Sequence, residues 1–220
     1  MSPTSYHGNV HPGGTPDVRE LPGLTITKLA VSEMANNVYL LRCRQTDEQL
    51  LVDAADDAAT ILQVVGSGGL SRVVTTHRHW DHHRALPEVV AATGAQTVAG
   101  APDADELPVP VDVRVEDGDE VMVGACRLEV IRLTGHTPGS IALLYDDPDG
   151  TPHLFTGDSL FPGGVGRTTS AEDFATLLDD VSHKLFDRLP DETWFYPGHG
   201  DDSTLGTERP HLAEWRDRGW

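Results

Sequence analysis

The chain has 220 residues, of which 38% are hydrophobic and 23% charged, a composition typical of globular proteins and not of disordered or fibrous ones. Its 35 acidic residues outnumber 16 lysines and arginines, giving a formal net charge of -19. A field of this sign repels phosphate backbones and anionic membrane surfaces, so we expect neither nucleic acid nor a membrane as partner. Two cysteines, Cys43 and Cys126, are too few for a disulfide framework, and we expect buried thiols.

The first 22 residues differ in composition from the rest. They are rich in proline and glycine and have no basic start followed by an apolar run. We therefore predict a loose N-terminal arm over residues 1–22, which is neither a signal peptide nor a membrane span. Residues 23–220 are predicted to form a single domain, and a cytoplasmic location is expected.

In the first half of the chain, the runs LTITKLAV, NVYLLRCR and QLLVDA predict three strands of an antiparallel meander. The segment DAATILQVVGSGG has helical apolar spacing and ends in glycines, and SRVVTT is typical of a buried strand. Pro87 suits the first turn of a helix through EVVAATG, which Gly94 is expected to end. The intervening THRHWDHH is thus a strand-to-helix loop.

In the second half, six further runs predict strands, namely QTVAG, DVRV, EVMVG, CRLEVIRLT, SIALLYD and HLFTGD. Turns are expected at Asp117-Gly118 and Asp149-Gly150, and a second sheet is predicted. A helix over AEDFATLLDDVSHKLFDRL, a last strand TWFYPG and a closing helix over TERPHLAEWRDRG follow. Two facing sheets with helices outside would form a four-layer sandwich, although the pattern also fits another α+β arrangement.

The loop THRHWDHH, residues 76–83, holds four of the eleven histidines and an aspartate. His77 and His79 project to the same side of an extended chain and can bind one ion. Asp81 and His82, after a turn, can point at a second ion beside the first. Clustered imidazoles are otherwise costly to bring together, so the loop predicts a metal site.

Three later loops each place a possible ligand directly after a glycine. They contain His136 in GHTPGS, Asp158 in FTGDSLF and His199 in YPGHG. Any one of them alone is more typical of a structural turn. Together, at the ends of predicted strands, they indicate further ligands of the same site.

These ordered segments, from about Leu24 to the C-terminus, resemble the metallo-β-lactamase superfamily. The resemblance implies an α/β (α+β) fold, a four-layer αβ/βα sandwich of two mixed β-sheets flanked by helices. It implies two zinc ions, or alternatively iron or manganese. The implied ligands are His77, His79 and His136 on one ion, Asp81, His82 and His199 on the other, and Asp158 bridging both. The implied reaction is hydrolysis, in which metal-bound hydroxide oriented by Asp81 attacks an acyl carbon, since zinc lowers the pKa of water to about 7.

Within the superfamily, FTGDSLFPGGVGR is similar to the stretch that follows the bridging aspartate in glyoxalase II, the hydroxyacylglutathione hydrolases. Those enzymes typically read Cys-Gly-Lys-x-Tyr where this chain has residues Val165 to Thr169, and the larger ones add a C-terminal helical domain. The resemblance therefore implies a thioester or related ester in a small molecule, with the thiol carrier left open. Arg167 is expected either to clamp a substrate carboxylate or to be an exposed loop residue.

Other functions stay open. Persulfide dioxygenases share Gly-x-Gly-Arg-Thr with this chain and bind a single iron through the equivalents of His77, His136 and Asp158. A lactonase is a further alternative, whereas the bridging Asp158 argues against a β-lactamase. In another class, the chain could be a non-catalytic metal-binding module. Asn36, Asn37 and Phe161 are predicted to lie in loops that could overhang the metals, although structural turn roles are favoured. The oligomeric state is not predicted.

Overall fold

The computed structural model describes residues 6–148 and 150–219. Its strands, in chain order, are β1 (Asp17–Glu20), β2 (Leu24–Val31), β3 (Asn36–Cys43), β4 (Gln49–Val52), β5 (Arg72–Thr75), β6 (Gln96–Gly100), β7 (Val113–Val115), β8 (Glu120–Val123), β9 (Cys126–Arg132), β10 (Ile141–Tyr145), β11 (His153–Gly157), β12 (Leu160–Phe161), β13 (Gly164–Val165), β14 (Trp194–Pro197) and β15 (Ser203–Thr204). Its α-helices are α1 (Ala58–Val65), α2 (Leu86–Thr93), α3 (Ala171–Val181), α4 (Leu205–Glu208) and α5 (Leu212–Arg218).

The first sheet contains β1 to β7 in sequence order. The meander predicted for β2, β3 and β4 is confirmed, because these strands pair antiparallel, and β4 to β7 then pair in parallel. The runs QTVAG and DVRV, expected with the second-half strands, belong to this first sheet as β6 and β7. The chain crosses over through α2 and returns as β6, which pairs parallel with β5 and so belongs to the first sheet.

The second sheet has the order β15-β14-β11-β10-β9-β8. The strands β8 to β11 form an antiparallel meander, and β14 joins β11 in parallel after the chain has passed through α3. A short hairpin of β12 and β13 follows β11. The predicted two mixed sheets flanked by helices are therefore present, and the four-layer sandwich is confirmed.

Alternation of side chains between sheet faces creates three apolar layers. One core, including Leu41, Val74 and Phe155, lies between the two sheets. A second packs the outer face of the first sheet against α1 and α2 through residues such as Ile61 and Val89. The third packs the outer face of the second sheet against α3 and α5. Because both faces of each sheet are covered, the loops at the strand ends are the sites left open for chemistry.

The N-terminal segment is not loose over its described part, which corrects that expectation. Strand β1 pairs antiparallel with β2, opposite residues Thr25 to Lys28. Gly8 contributes its carbonyl to the buried Lys28 ammonium group at 2.7 Å, and the Tyr6 ring packs edge-on against Trp194 at 6.1 Å. Proline and glycine content therefore misled the prediction here, since backbone pairing with β2 compensates for it. The division of the chain at residue 22 stays a prediction.

Helix ends follow local chemistry. The predicted end of α2 at Gly94 is confirmed, and this residue has the left-handed φ of 68° that favours glycine. The helix predicted over residues 171–189 is α-helical only to Val181 and continues as a π-turn over Ser182–Phe186. Pro210 lies in a 3₁₀ turn that divides the closing helix into α4 and α5. The turn expected at Asp149-Gly150 lies partly outside the described residues, because Asp149 is not described.

One buried histidine outside the functional loops makes stability pH-dependent. His153 Nδ1 faces the Tyr196 hydroxyl at 2.9 Å, and the same hydroxyl accepts a hydrogen bond from Arg19 at 3.0 Å. Burial, followed by the charge of Arg19, lowers the pKa of His153 from 6.5 to about 4. Between these values the unfolded chain binds more protons than the native one, so stability falls as the pH falls through this window.

We predict that His153→Gln flattens this part of the stability profile. Glutamine keeps an acceptor for Tyr196 but does not titrate. The wild type should lose up to about 3 kcal/mol between pH 6.5 and 4 that the variant keeps. Urea unfolding at several pH values measures the difference, and parallel profiles for the two proteins would contradict the assignment.

Candidate metal centre

The loop after β5 delivers four of the predicted ligands. The chain bends at His77 and Arg78. His79 has extended backbone, and a 3₁₀ turn over Trp80–His82 then reverses the chain. This turn brings Asp81 and His82 back to the side on which His77 lies, so that the rings of His77 and His82 are 4.2 Å apart. The strand-to-helix loop predicted from sequence therefore gathers its own polar side chains.

The three later loops meet this one at the same end of the sandwich. His136 follows β9, Asp158 follows β11, and His199 follows β14. The seven predicted ligands fall into three sets whose ligand atoms lie within 4.8 Å of one another. The sets are His77, His79 and His136; Asp81, His82 and His199; and His77, His82 and Asp158.

Asp158 lies between the two histidine sets. Its Oδ2 is 3.7 Å from His136 Nε2 and 3.6 Å from His199 Nε2, whereas its Oδ1 is 3.3 Å from His82 Nε2. The carboxylate thus reaches ligands of both sets. This geometry suits a carboxylate shared by two cations.

The positions of the histidine ring nitrogens suit bound cations better than they suit direct contact between the rings. His77 Nε2 and His136 Nε2 face each other at 3.3 Å, and His82 Nε2 and His199 Nε2 at 3.2 Å. Two unprotonated ring nitrogens at this distance repel unless a proton or a cation lies between them. Among the described residues, Asp158 Oδ1 is a buried oxygen without a hydrogen-bond partner. Such an atom is costly to leave unpaired and is accounted for by a cation.

Glycines make the close approach possible. A Cβ on Gly198 would lie 2.2 Å from Asp158 Oδ1 and 2.7 Å from His82 Cε1. Gly157 has a left-handed φ of 49°, and a Cβ there would meet the Thr76 side chain at 2.6 Å. The glycines that precede Asp158 and His199 are therefore required by space as well as by turn conformation.

Burial and neighbouring charge set the protonation of the ring nitrogens. Burial, followed by the charges of the other histidines, holds the pKa of His77 well below its usual value, which leaves a lone pair for a ligand bond. Burial alone would also lower the pKa of His82, but the carboxylates of Asp158 and Asp53 outweigh it and raise that pKa. Burial would raise the pKa of Asp158, yet the charge of His82 outweighs this and lowers it.

Two residues support the candidate ligands, of which Asp53 was missed in the sequence and Asn36 was expected in a loop that could overhang the metals. Asp53 accepts a hydrogen bond from His82 Nδ1 at 2.9 Å and from the Thr76 backbone N–H at 2.7 Å, so it fixes the ring that Asp158 contacts. Asn36, expected in a loop with a turn role, begins β3 and donates to Asp81 Oδ2 at 3.0 Å. The sequence did contain a signal for Asp53, which directly follows β4. Because β4 pairs parallel with β5, the two strands end at the same sheet edge, and Asp53 therefore lies near the histidine loop that follows β5.

A second missed residue, Asp103, joins two of the loops. Its carboxylate accepts hydrogen bonds from the Arg78 backbone N–H at 3.0 Å and from the Gly139 N–H at 2.8 Å. It also accepts one from the Thr137 hydroxyl, next to His136. Asp103 thus holds the first histidine loop against the loop that carries His136.

Arg167 contacts the site through its backbone. Its carbonyl accepts a hydrogen bond from His136 Nδ1 at 2.6 Å, which directs the opposite ring nitrogen toward His77. The Arg167 side chain is exposed. Phe161, expected in a loop, lies in β12 with its ring 6.4 Å from the His199 ring.

The loop that carries His199 is held by a buried ion pair. Lys28 Nζ donates to Asp202 Oδ1 at 2.6 Å and to the Gly200 carbonyl at 2.8 Å. Asn37, in β3 and not in a loop as expected, donates to the carbonyls of Pro197 and Gly200 at 2.9 Å. Residues 197–202 are thus fixed from the first sheet on both sides of His199.

A mixed αβ/βα sandwich with histidines and aspartates gathered at one edge defines a class of metalloproteins, and comparison with known proteins agrees with this class. The sequence profile of the Metallo-beta-lactamase superfamily matches residues 31–199. The chain therefore belongs to the metallo-beta-lactamase superfamily.

Several relatives share this family. A hydroxyacylglutathione hydrolase of Fuscovulum blasticum is 39% identical over 169 residues, which covers 74% of this chain and 62% of that protein. A hydroxyacylglutathione hydrolase-like protein of Mus musculus is 33% identical over 168 residues, covering 74% and 57%. The chain thus spans less than two thirds of the length of these curated relatives.

Solved structures extend the comparison. ETHE1 from Myxococcus xanthus is 31% identical with a TM-score of 0.76, covering 87% of this chain and 84% of that one. A protein solved in a di-iron-bound form, TTHA1623, is 29% identical with a TM-score of 0.67, covering 83% of this chain and 96% of that one.

In the part of the chain that the structure describes, none of the helices has the length and apolar character needed to span a membrane.

We predict that Lys28→Met destabilises the protein by about 3 to 5 kcal/mol, because it leaves the Asp202 carboxylate buried without its cation. A double variant, Lys28→Met with Asp202→Leu, should recover much of this loss, since it buries no unpaired charge. Urea unfolding measures both.

The control is Arg42→Met, which breaks the exposed pair with Asp47. This change should cost less than about 1 kcal/mol. If Lys28→Met cost no more than the control, the buried pair would not be stabilising the His199 loop.

Proposed function

We propose that the chain is a binuclear metallohydrolase that cleaves a thioester, or a related ester, in a small-molecule substrate. The single observation that carries this proposal is the convergence of the seven predicted ligands into three overlapping sets, with Asp158 near both histidine sets. Relatives named hydroxyacylglutathione hydrolase, 36 to 39% identical, support the thioester. Glutathione itself is left open, because the chain covers only 62% of the relative from Fuscovulum blasticum.

The proposed ligand assignment follows the two histidine sets. One divalent cation would be held by His77, His79 and His136, and the other by Asp81, His82 and His199, with Asp158 between them. Zinc suits imidazole and carboxylate ligands. The neighbour solved in a di-iron-bound form supports iron as the alternative, and manganese is the third. When bound, the cations supply Lewis acidity that makes water reactive near neutral pH and stabilises negative charge on a carbonyl oxygen.

Residues of the chain control the geometry of the reaction. Asp81 is held by Asn36, so its carboxylate can accept a hydrogen bond from the attacking water and orient it toward the acyl carbon. Asp53 fixes the tautomer of His82 through its Nδ1. The oxygen of water adds to the acyl carbon, the C–S bond breaks, and the products are a carboxylic acid and a thiol. The exposed Arg167 is proposed to bind a carboxylate of the substrate.

Two further properties complete the proposal. Both cysteines are free thiols, which supports a reducing, cytoplasmic compartment. A persulfide dioxygenase would need only His77, His136 and Asp158 as ligands. Asp81, His82 and His199 form a second candidate ligand set, which favours the binuclear hydrolase over that alternative.

The decisive experiment is metal analysis of the native protein combined with a substrate panel. We expect two divalent cations per chain and turnover of acyl thioesters that chelation abolishes and zinc restores. Lactones and glutathione persulfide in the same panel test the alternatives. One iron with oxygen consumption on persulfide would replace the hydrolase by a dioxygenase, and a folded, metal-free, inert protein would indicate a binding module.

We predict that Asp158→Ala abolishes most turnover and lowers metal content below that of the wild type, because the variant removes the only carboxylate that reaches both histidine sets among the described ligands. Removal of a metal-sharing ligand is expected to cost at least about 100-fold in activity. The matched control is Asp187→Ala at an exposed position. Normal turnover and metal content in Asp158→Ala would remove Asp158 from the centre.

A further inference from the structure

The two cysteines lie at the end of the sandwich opposite the metal centre. Cys43 is the last residue of β3, the strand whose first residue, Asn36, contacts Asp81. Cys126 is the first residue of β9 in the other sheet. Neither thiol takes part in the proposed hydrolysis, so their placement needs a separate account.

Cys43 lies in a nest of hydrogen-bond donors. The Ala125 backbone N–H donates to Cys43 Sγ at 3.4 Å. Burial would raise the pKa of this thiol, but hydrogen bonds from the Thr46 hydroxyl and from the N–H groups of Ala125, Gln45 and Thr46 outweigh it and lower the pKa to about 7. Inward-pointing donors of this kind stabilise an anion, here a thiolate.

Cys126 has the opposite character. Its Sγ donates to the Gly23 carbonyl at 3.3 Å, so the proton is held in a hydrogen bond. Burial, followed by the charge and side-chain contact of Cys43, raises the pKa of Cys126 to about 11. The neighbouring sulfurs therefore differ in the way that a nucleophilic and a resolving thiol differ.

The turn between β8 and β9 brings the two sulfurs together. A Cβ on Gly124 would lie 2.9 Å from Cys43 Sγ, and φ of Gly124 is 55°, so the backbone of this turn packs directly on the sulfur. Both cysteines line a cavity of about 830 Å³, whose wall also includes Tyr145 and Arg188. Cys43 has no exposed surface and Cys126 only 7%. Because so little of either sulfur is exposed, a small oxidant reaches the pair more readily than a bulky reagent.

We propose that Cys43 and Cys126 are a redox modification site, at which a hydroperoxide converts the two thiols into an intrachain disulfide between the sheets. The Cys43 thiolate attacks the terminal peroxide oxygen and the O–O bond breaks, which gives a sulfenic acid and releases water or an alcohol. The Cys126 sulfur then attacks the Cys43 sulfur, loses its proton, and displaces the hydroxyl group as water. Overall, the two thiols lose two electrons and two protons to the peroxide.

This inference goes beyond the proposed hydrolysis and does not depend on it. Oxidised pairs in reducing compartments are transient and sensing, and small thiols reverse them by exchange. The disulfide would join β3 to β9 and so restrain the two sheets relative to each other at this end. We expect a higher melting temperature for the oxidised protein than for the reduced one.

The test treats zinc-loaded, full-length protein with hydrogen peroxide and maps its peptides by mass spectrometry without reduction. The expected result is a Cys43–Cys126 cross-linked peptide that disappears on adding dithiothreitol. In Cys126→Ser, the sulfenic acid should persist at Cys43 and be labelled there by dimedone added together with urea, which exposes the buried sulfur. In the matched control, Cys43→Ser, labelling at Cys126 should be at least about tenfold weaker, because the thiolate is the nucleophile.

Two results would overturn the proposal. One is a wild-type protein whose cysteines both remain available to an alkylating reagent after unfolding, under peroxide doses that oxidise free cysteine. The other is equal dimedone labelling in the two serine variants. If a serine variant does not fold, wild-type protein quenched early with dimedone in urea replaces it, and the first label must be on Cys43.

Discussion

The structure depends on holding several imidazole nitrogens and a carboxylate close together, an arrangement that is unfavourable unless cations are bound between them. Two pairs of imidazole nitrogens face each other at 3.2 and 3.3 Å around a buried carboxylate. Without positive charge between them, their lone pairs repel, and burial of Asp158 Oδ1, whose nearest ring nitrogen is His82 Nε2 at 3.3 Å and which makes no hydrogen bond to the described residues, costs further free energy. The fold must hold these groups together against that cost, and much of its polar interior is arranged to do so.

The restraint comes from side chains that bind loops, not from the candidate ligands alone. Asp53 holds His82, Asn36 holds Asp81, and Asp103 ties two ligand loops to each other. The pair of Lys28 and Asp202 fixes the loop that carries His199. Each of these groups is buried or partly buried and hydrogen-bonded, which is the condition under which a polar group inside a protein is stabilising and rigid. Preorganised ligands lose little conformational freedom when a cation binds.

The two ends of the sandwich are chemically distinct. One end combines imidazoles and carboxylates, which suits hard and borderline cations and the polarisation of a carbonyl group. The other end holds the Cys43 thiol among hydrogen-bond donors and beside the Cys126 thiol, at the opposite end of β3 from Asn36. Because the sheets pack closely through the central core, a restraint introduced at the thiol end would act on the same two layers whose opposite edges carry the candidate ligands.

The sequence alone determined the strand and helix types over most of the chain and the seven candidate ligands. Clustered histidines, glycines before each later ligand, and period-two apolar runs are local features that do not require tertiary contacts. It also marked the glycine that ends α2. Local pattern did not, however, separate the four-layer sandwich from other α+β arrangements, and the family resemblance was needed for that step.

Only the tertiary structure decided the sheet to which β6 and β7 belong and the pairing of β1 with β2. It alone identified Asp53, Asn36 and Asp103 as supports, because their partners lie 29, 45 and up to 36 residues away in the sequence. It also brought Cys43 to the turn before Cys126, 82 residues from Ala125. Such contacts leave no periodic signal, since they are set by how layers pack and not by the neighbours of each residue along the chain.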